Sequence, residues 1–238
     1  GCASLHAFQF QLSHAYRNFF GLENQYLVEG MSDEGYLKLL SRAVIGDCDP
    51  EEVVLMEIEP ELQKTLPDFV GTQQLLGVRT CSITDIYPEG KRLVEKKDGV
   101  TRPISRIYNR AIVDELIRKD IRLNFDYRDE YEVQWAGHPN WFFRLSKFSL
   151  PFLDHPSVPR CSFLSDLSDY PEDLENFVLK PLFSFAGSGV RVSITRDDLD
   201  QIAFEQRQDF LLQEKIHYAP AIETPDEPAK VEIRVMFV

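Results

Sequence analysis

Residues 176–194 read NFVLKPLFSFAGSGVRVSI. Phe177, Val178 and Leu179 form an apolar run suited to a strand, and Lys180 closes it. Phe183-Ser184-Phe185-Ala186-Gly187-Ser188-Gly189 is a turn rich in small residues. Val190, Val192 and Ile194 then alternate with polar residues, as on a half-buried strand. The stretch is predicted to be a hairpin with a small-residue tip and a lysine at its base. Small residues let backbone N–H groups approach a polyphosphate closely, and a lysine adds a point charge. An ordinary structural turn accounts for the same residues taken alone. No helix follows the glycines as a Walker loop or a dinucleotide fingerprint requires.

Downstream, Asp197–Gln208 is predicted to be a helix with Leu199, Ile202, Ala203 and Gln206 on one side. Phe210–Ile216, FLLQEKI, reads as a strand that turns polar midway. Lys230–Val238 reads as a last strand, with Glu232 and Arg234 on one face and Val231, Ile233 and Val235 on the other. Upstream, Ser146-Lys147 falls in a predicted helix that ends before Pro151, and His138-Pro139-Asn140 marks a break.

The first half has a different rhythm. Leu5–Phe20 is predicted to be a helix with an apolar stripe of Leu5, Phe8, Leu12, Tyr16 and Phe19. Ser32-Asp33-Glu34 opens a second helix running to about Val44. Glu52–Ile58 is dense enough in apolar residues for a strand buried on both faces. Pro67 fits the first turn of a helix that Gly77 stops, and Val78–Ile83 is the next strand. Strand, helix, strand is the start of an open α/β sheet, whose ligands sit beyond the carboxyl ends of the strands. Glu59, Gln63 and Lys64 occupy that place, which a solvated connecting loop would also explain. Glu89-Gly90 and Asp98-Gly99 flank a hairpin. Arg106–Arg110 leads into a helix of about 111–119; Arg110 is either part of a solvated basic face or a substrate contact.

The chain has 238 residues and a net charge of −13. That length suits one large or two small domains, and the charge disfavours a nucleic-acid partner. The charge is uneven: residues 61–120 hold 11 Lys and Arg against 9 Asp and Glu, so a local anion site is allowed. Four cysteines lie far apart without metal spacing, as expected of reduced thiols in a cytoplasmic protein. The five histidines likewise show no metal spacing. No apolar run approaches the ~20 residues of a membrane span.

Ser146-Lys147, VLKP with SFAGSGV, LLQEKI and VEIRVMFV, in that order and spacing, resemble the ATP-grasp superfamily, in the manner of glutathione synthetase-like and glutathionylspermidine synthase-like proteins. The upstream strand–helix–strand unit looks like the Rossmann-like domain that precedes ATP-grasp modules. The resemblance implies an α/β and α+β build: residues 1–125 as a pre-ATP-grasp substrate domain and 126–238 as an ATP-grasp domain, with a nucleotide-binding subdomain at about 160–216. It implies ATP and Mg²⁺ as cofactors. Lys147 and Lys180 would contact the phosphates, and the loop with Ser184, Gly187, Ser188 and Gly189 would close over them. Glu214, Lys215 and Ile216 would border the adenine, Glu223 would reach the ribose, and Arg234 would face the γ-phosphate or an acyl phosphate.

Such ligases phosphorylate a carboxylate and let an amine or thiol displace the phosphate, with cationic groups and positioning carrying the transfer. The family's acidic and Asn metal ligands follow the EIR-type strand, where this sequence stops. The expectation is therefore an incomplete ATP-grasp fold with no metal ligands of its own and weak catalysis. The alternative is a non-catalytic nucleotide-binding or scaffold module. Expected partners are ATP and small carboxylate and amine substrates, with no nucleic acid or membrane; a homo-oligomer is allowed.

Overall fold

The computed structural model describes residues 5–23, 25–27, 30–141, 146–184 and 187–231. The chain divides into two units near residue 142.

The first unit opens with α1 (His6–Phe20) and α2 (Asp33–Val44). Ser32 caps α2 through its hydroxyl, which accepts from the Gly35 N–H, and Asp33 and Glu34 fill the first turn. Of the apolar stripe expected to seat α1, Leu5 and Phe8 are half-buried but Leu12, Tyr16 and Phe19 are exposed, and Ala7 and Phe10 are the buried positions. A close helix crossing explains the choice. A Cβ on Gly71 would come within 3.3 Å of the Ala7 Cβ, so small residues face each other where α1 meets the next helix.

That helix, α3 (Leu66–Leu76), connects β1 (Val53–Glu57) to β2 (Arg79–Ser82). Pro67 lies in its first turn, and Gly77 ends it in the left-handed region at φ 73°. Every residue of β1 is buried. Val53 and Leu55 feed one apolar cluster, with Phe69 and Val78; Val54 and Met56 feed another, with Ile83 and Ile107. A strand covered on both faces is what a dense apolar run should produce. After β2 the chain makes an antiparallel meander, β3 (Ile86–Glu89), β4 (Arg92–Lys97) and β5 (Val100–Ile104). β6 (Arg106–Asn109) then pairs with β1, and α4 (Val113–Arg118) follows. β7 (Gln134–Ala136) completes a parallel sheet of order β2-β1-β6-β7. This last strand moves the division of the chain from the expected 125/126 to near 142, because 134–136 belongs to the first sheet.

The second unit is built on an antiparallel sheet of β8 (Cys161–Phe163), β9 (Phe177–Pro181) and β10 (Phe210–Glu214), in the order β8-β10-β9. Leu179 and Leu212 pack one face against Leu164, Ile194 and Leu199. β11 (Pro220–Ile222) and β12 (Ala229–Lys230) pair beyond it.

Three sequence expectations change here. The return arm of the hairpin is not a strand: it meets the free edge of β9 through a single bridge, Leu179 to Arg191, while the ladder of β9 is with β10. The predicted 197–208 helix is two pieces. A capping box at Thr195 and Asp198 starts a short helix, Arg196–Asp200, the backbone turns extended at Ala203, and a 3₁₀ helix spans Phe204–Asp209. Lys147 opens a 3₁₀ helix through Phe152 rather than an α-helix, and the helix includes Pro151 instead of ending before it; in an α-helix the Pro151 ring would clash with the carbonyl four residues back. The VEIRVMFV strand, Arg234 included, falls outside the described residues except Val231.

Candidate functional site

In the second unit the strand registers define a face. Phe163, Leu211 and Lys180 form one row across β8, β10 and β9; Cys161, Gln213 and Val178 form the next. These residues share the face opposite the Leu179–Leu212 core, because side chains alternate along a strand. Phe148 and Phe152 pack over this face against Phe163, with ring centroids at 5.3 and 5.9 Å.

Lys180 donates to Gln213 Oε1 at 2.7 Å. Lys147 donates to the Ser184 hydroxyl at 2.6 Å and to the Pro181 carbonyl. Lys147 and Ser184 thus meet at the Pro181 end of β9, one residue past Lys180, whose ammonium leans back along the sheet to Gln213. Gly189 packs on the same point: a Cβ there would meet Pro181 Cγ at 2.9 Å, and its φ of 71° also favours glycine. Gly187, at φ 77°, and Ser188 are exposed turn residues.

Glu214 and Lys215 lie at the other end, where Glu214 pairs in register with Phe177. Their backbone amides donate to the Arg160 and Asn176 carbonyls at 2.8 and 2.7 Å. The Glu214 carboxylate meets Arg160 at 3.2 Å, which holds it below the usual carboxylate range, and Lys215 reaches the Glu175 carbonyl. Ile216 and Glu223 are exposed. Four residues of extended strand separate the two ends, about 13 Å. Gln213, Phe148 and Phe152 were not singled out by the sequence. A glutamine directly after the apolar Phe210-Leu211-Leu212 run of a strand was the available signal for the first.

The first unit has its own polar group, at the carboxyl ends of β1 and β6. The chain leaves β1 toward β2 on one side and returns to β6 on the other, so this is the point where strand order reverses. Glu57 ends β1 at 6% exposure, and its Oε1 accepts from the Ile58 N–H at 2.8 Å. Burial pushes its carboxyl up to about 7, against the opposing pull of that N–H and of Arg110. Glu59 follows in the left-handed region at φ 43°. Gln63 donates to the Ile58 carbonyl at 2.7 Å, and Lys119 bridges Glu59 and Glu115 at 2.9 and 3.0 Å. Lys64 is exposed.

Arg110 does not lie on a solvated basic face. It is 4% exposed, pairs with Asp68 at 2.8 Å, donates to the Tyr108 hydroxyl at 3.3 Å and lies 5.6 Å from the Phe69 ring centre. Glu57 is the residue the sequence reading passed over here, although an acid closing a run as apolar as VVLM is its signal.

Among the described residues, no three His, Cys, Asp or Glu side chains cluster so as to hold a metal ion, and no helix is long and apolar enough to cross a membrane.

No family profile and no curated protein matches the chain. Among solved structures, a glutathione synthetase-like effector (GSS30) from Globodera pallida, in its apo form, is similar in fold, with a TM-score of 0.50 and 11% identity. The match covers 87% of this chain and 51% of that one, so the chain spans about half the length of that protein. The fold is a mixed α/β and α+β arrangement resembling a glutathione synthetase-like structure.

Proposed function

We propose that the chain carries the nucleotide-binding face of an ATP-dependent carboxylate–amine or carboxylate–thiol ligase-like protein of ATP-grasp type. One observation carries the reading: Lys147 meets Ser184 and the Pro181 carbonyl at the end of β9 that follows Lys180, and the far end of β10, at Glu214, lies about 13 Å away along the same sheet. A nucleoside triphosphate is an extended molecule with its charge gathered at one end, and its phosphates suit the end that holds the lysines. The fold likeness adds support.

In this reading Lys147 exchanges the Ser184 hydroxyl and Pro181 carbonyl for phosphate oxygens, and Lys180 supplies a second cation. Ser184, Gly187, Ser188 and Gly189 line the phosphate end. Ile216 lies past the last ladder pair and is the backbone position left for an adenine edge, since the Glu214 and Lys215 amides already have acceptors. Phe148 and Phe152 form an apolar wall over the Phe163–Leu211–Lys180 row. Glu223 remains the ribose contact implied by family resemblance, as does Arg234 at the γ-phosphate. The first unit is the pre-ATP-grasp substrate domain, and the carboxyl ends of β1 and β6, beside Glu57 and Arg110, are where a small carboxylate or amine substrate would bind. The cations counter charge on the transferring phosphoryl group, and the fold supplies position. No step is assigned to Mg²⁺.

Thermal unfolding with and without ATP tests this. At 100 times Kd, binding should stabilise the wild type by about 2.7 kcal/mol, and Lys180→Ala should lose most of that gain. An equal gain in Lys180→Ala, or none in the wild type at millimolar ATP, contradicts the reading.

A further inference from the structure

We propose that Gln213 is the positioning residue for Lys180, orienting its ammonium toward an anionic ligand without neutralising it. The proposal rests on the nucleotide reading above. Gln213 lies on the central strand of its sheet and is only 6% exposed. A buried amide needs partners, and its Oε1 finds one in the Lys180 ammonium at 2.7 Å. Lys180 stands opposite Leu211 and Gln213 opposite Val178, so the two side chains are diagonal neighbours on one face.

The partner's neutrality matters. A carboxylate at this distance would cancel the ammonium charge, whereas an amide oxygen fixes direction and leaves the charge in place. The surroundings agree. Among the described residues Lys180 makes no ion pair within the usual distance, although the chain as a whole carries −13. The adjacent acid, Glu214, points to the opposite face by strand alternation and is paired with Arg160. Cys161 stands across from Gln213 on β8, and burial keeps its thiol protonated by raising it to about 11, although Lys180 pulls the other way. Lys180 is therefore a half-buried cation whose direction is set by a neutral amide, that of Gln213. A polyphosphate is the ligand class that matches.

Two readouts on the whole chain test this. Without nucleotide, acetylation of Lys180 by acetic anhydride, mapped by mass spectrometry, reports how firmly the amine is held. Titration with ATP and with adenosine reports what the amine is held for. Gln213→Met keeps the side-chain length but removes the acceptor. It should raise Lys180 labelling and weaken ATP about tenfold, leaving adenosine unchanged. Gln213→Glu should keep labelling low and still weaken ATP by about tenfold or more. Unchanged labelling in Gln213→Met, or equal losses for ATP and adenosine, overturns the proposal. If Gln213→Met frees Lys180 but the wild type binds no ATP, Gln213 still positions the lysine, and it is the nucleotide reading that fails.

Discussion

Asp68→Ala should cost about 3–5 kcal/mol of stability, because it leaves the Arg110 guanidinium buried beside a lost counter-charge. The two side chains are 1% and 2% exposed, and the pair is 2.8 Å long. Asp68 does a second job: its other oxygen accepts from the Phe8 N–H at 3.0 Å, tying α1 to α3. The variant should therefore loosen α1 as well as destabilise the unit. Urea unfolding followed by hydrogen exchange in residues 6–20 measures both. Replacing the pair together, Asp68→Leu with Arg110→Met, should recover much of the loss, since a buried ion pair offsets little more than its own desolvation. A single-variant loss under about 1 kcal/mol would show that the Asp68 pair does not hold the buried arginine.

The second large effect is on pH dependence. Glu57 titrates near 7 in the folded chain against an ordinary value of 4.5. Between those values the native state keeps a proton that the unfolded chain has released. Stability therefore falls as pH rises through this window, by about 3 kcal/mol in total from this group, and stays low above it. Glu57→Gln keeps an oxygen for the Ile58 N–H and has no proton to lose. It should flatten that part of the profile and be more stable than wild type at pH 8. Parallel stability profiles for the two proteins from pH 4.5 to 8 would contradict the assignment.

The two expectations follow from features of unequal visibility in the sequence. β1 and α3 are plain there, because a short run as apolar as VVLM fits only a strand covered on both faces, and Pro67 and Gly77 mark the helix ends by backbone chemistry alone. The burial of Arg110 is not visible, since its acceptor Asp68 lies 42 residues away and only the fold brings them together. α1 misled for a related reason. Its apolar stripe is real, but the docking face is chosen by the close approach at Gly71, which selects Ala7. In the second unit, Lys180 was legible as the residue closing an apolar run, whereas Lys147 entered only through the family resemblance; the fold sets Lys147 against Ser184 and the Pro181 carbonyl, and Lys180 against Gln213. Gln213 stayed hidden because its role depends on the β9–β10 register, which no local pattern encodes.

We propose that ATP lies along the β9–β10 face, with its base at the Glu214–Ile216 end. Photolabelling with 8-azido-ATP, followed by peptide mapping, tests the location itself. The label should fall on peptides spanning residues 210–218, and unlabelled ATP should compete it away. Labelling spread over the chain, confined to the first unit, or unaffected by excess ATP would contradict the claim.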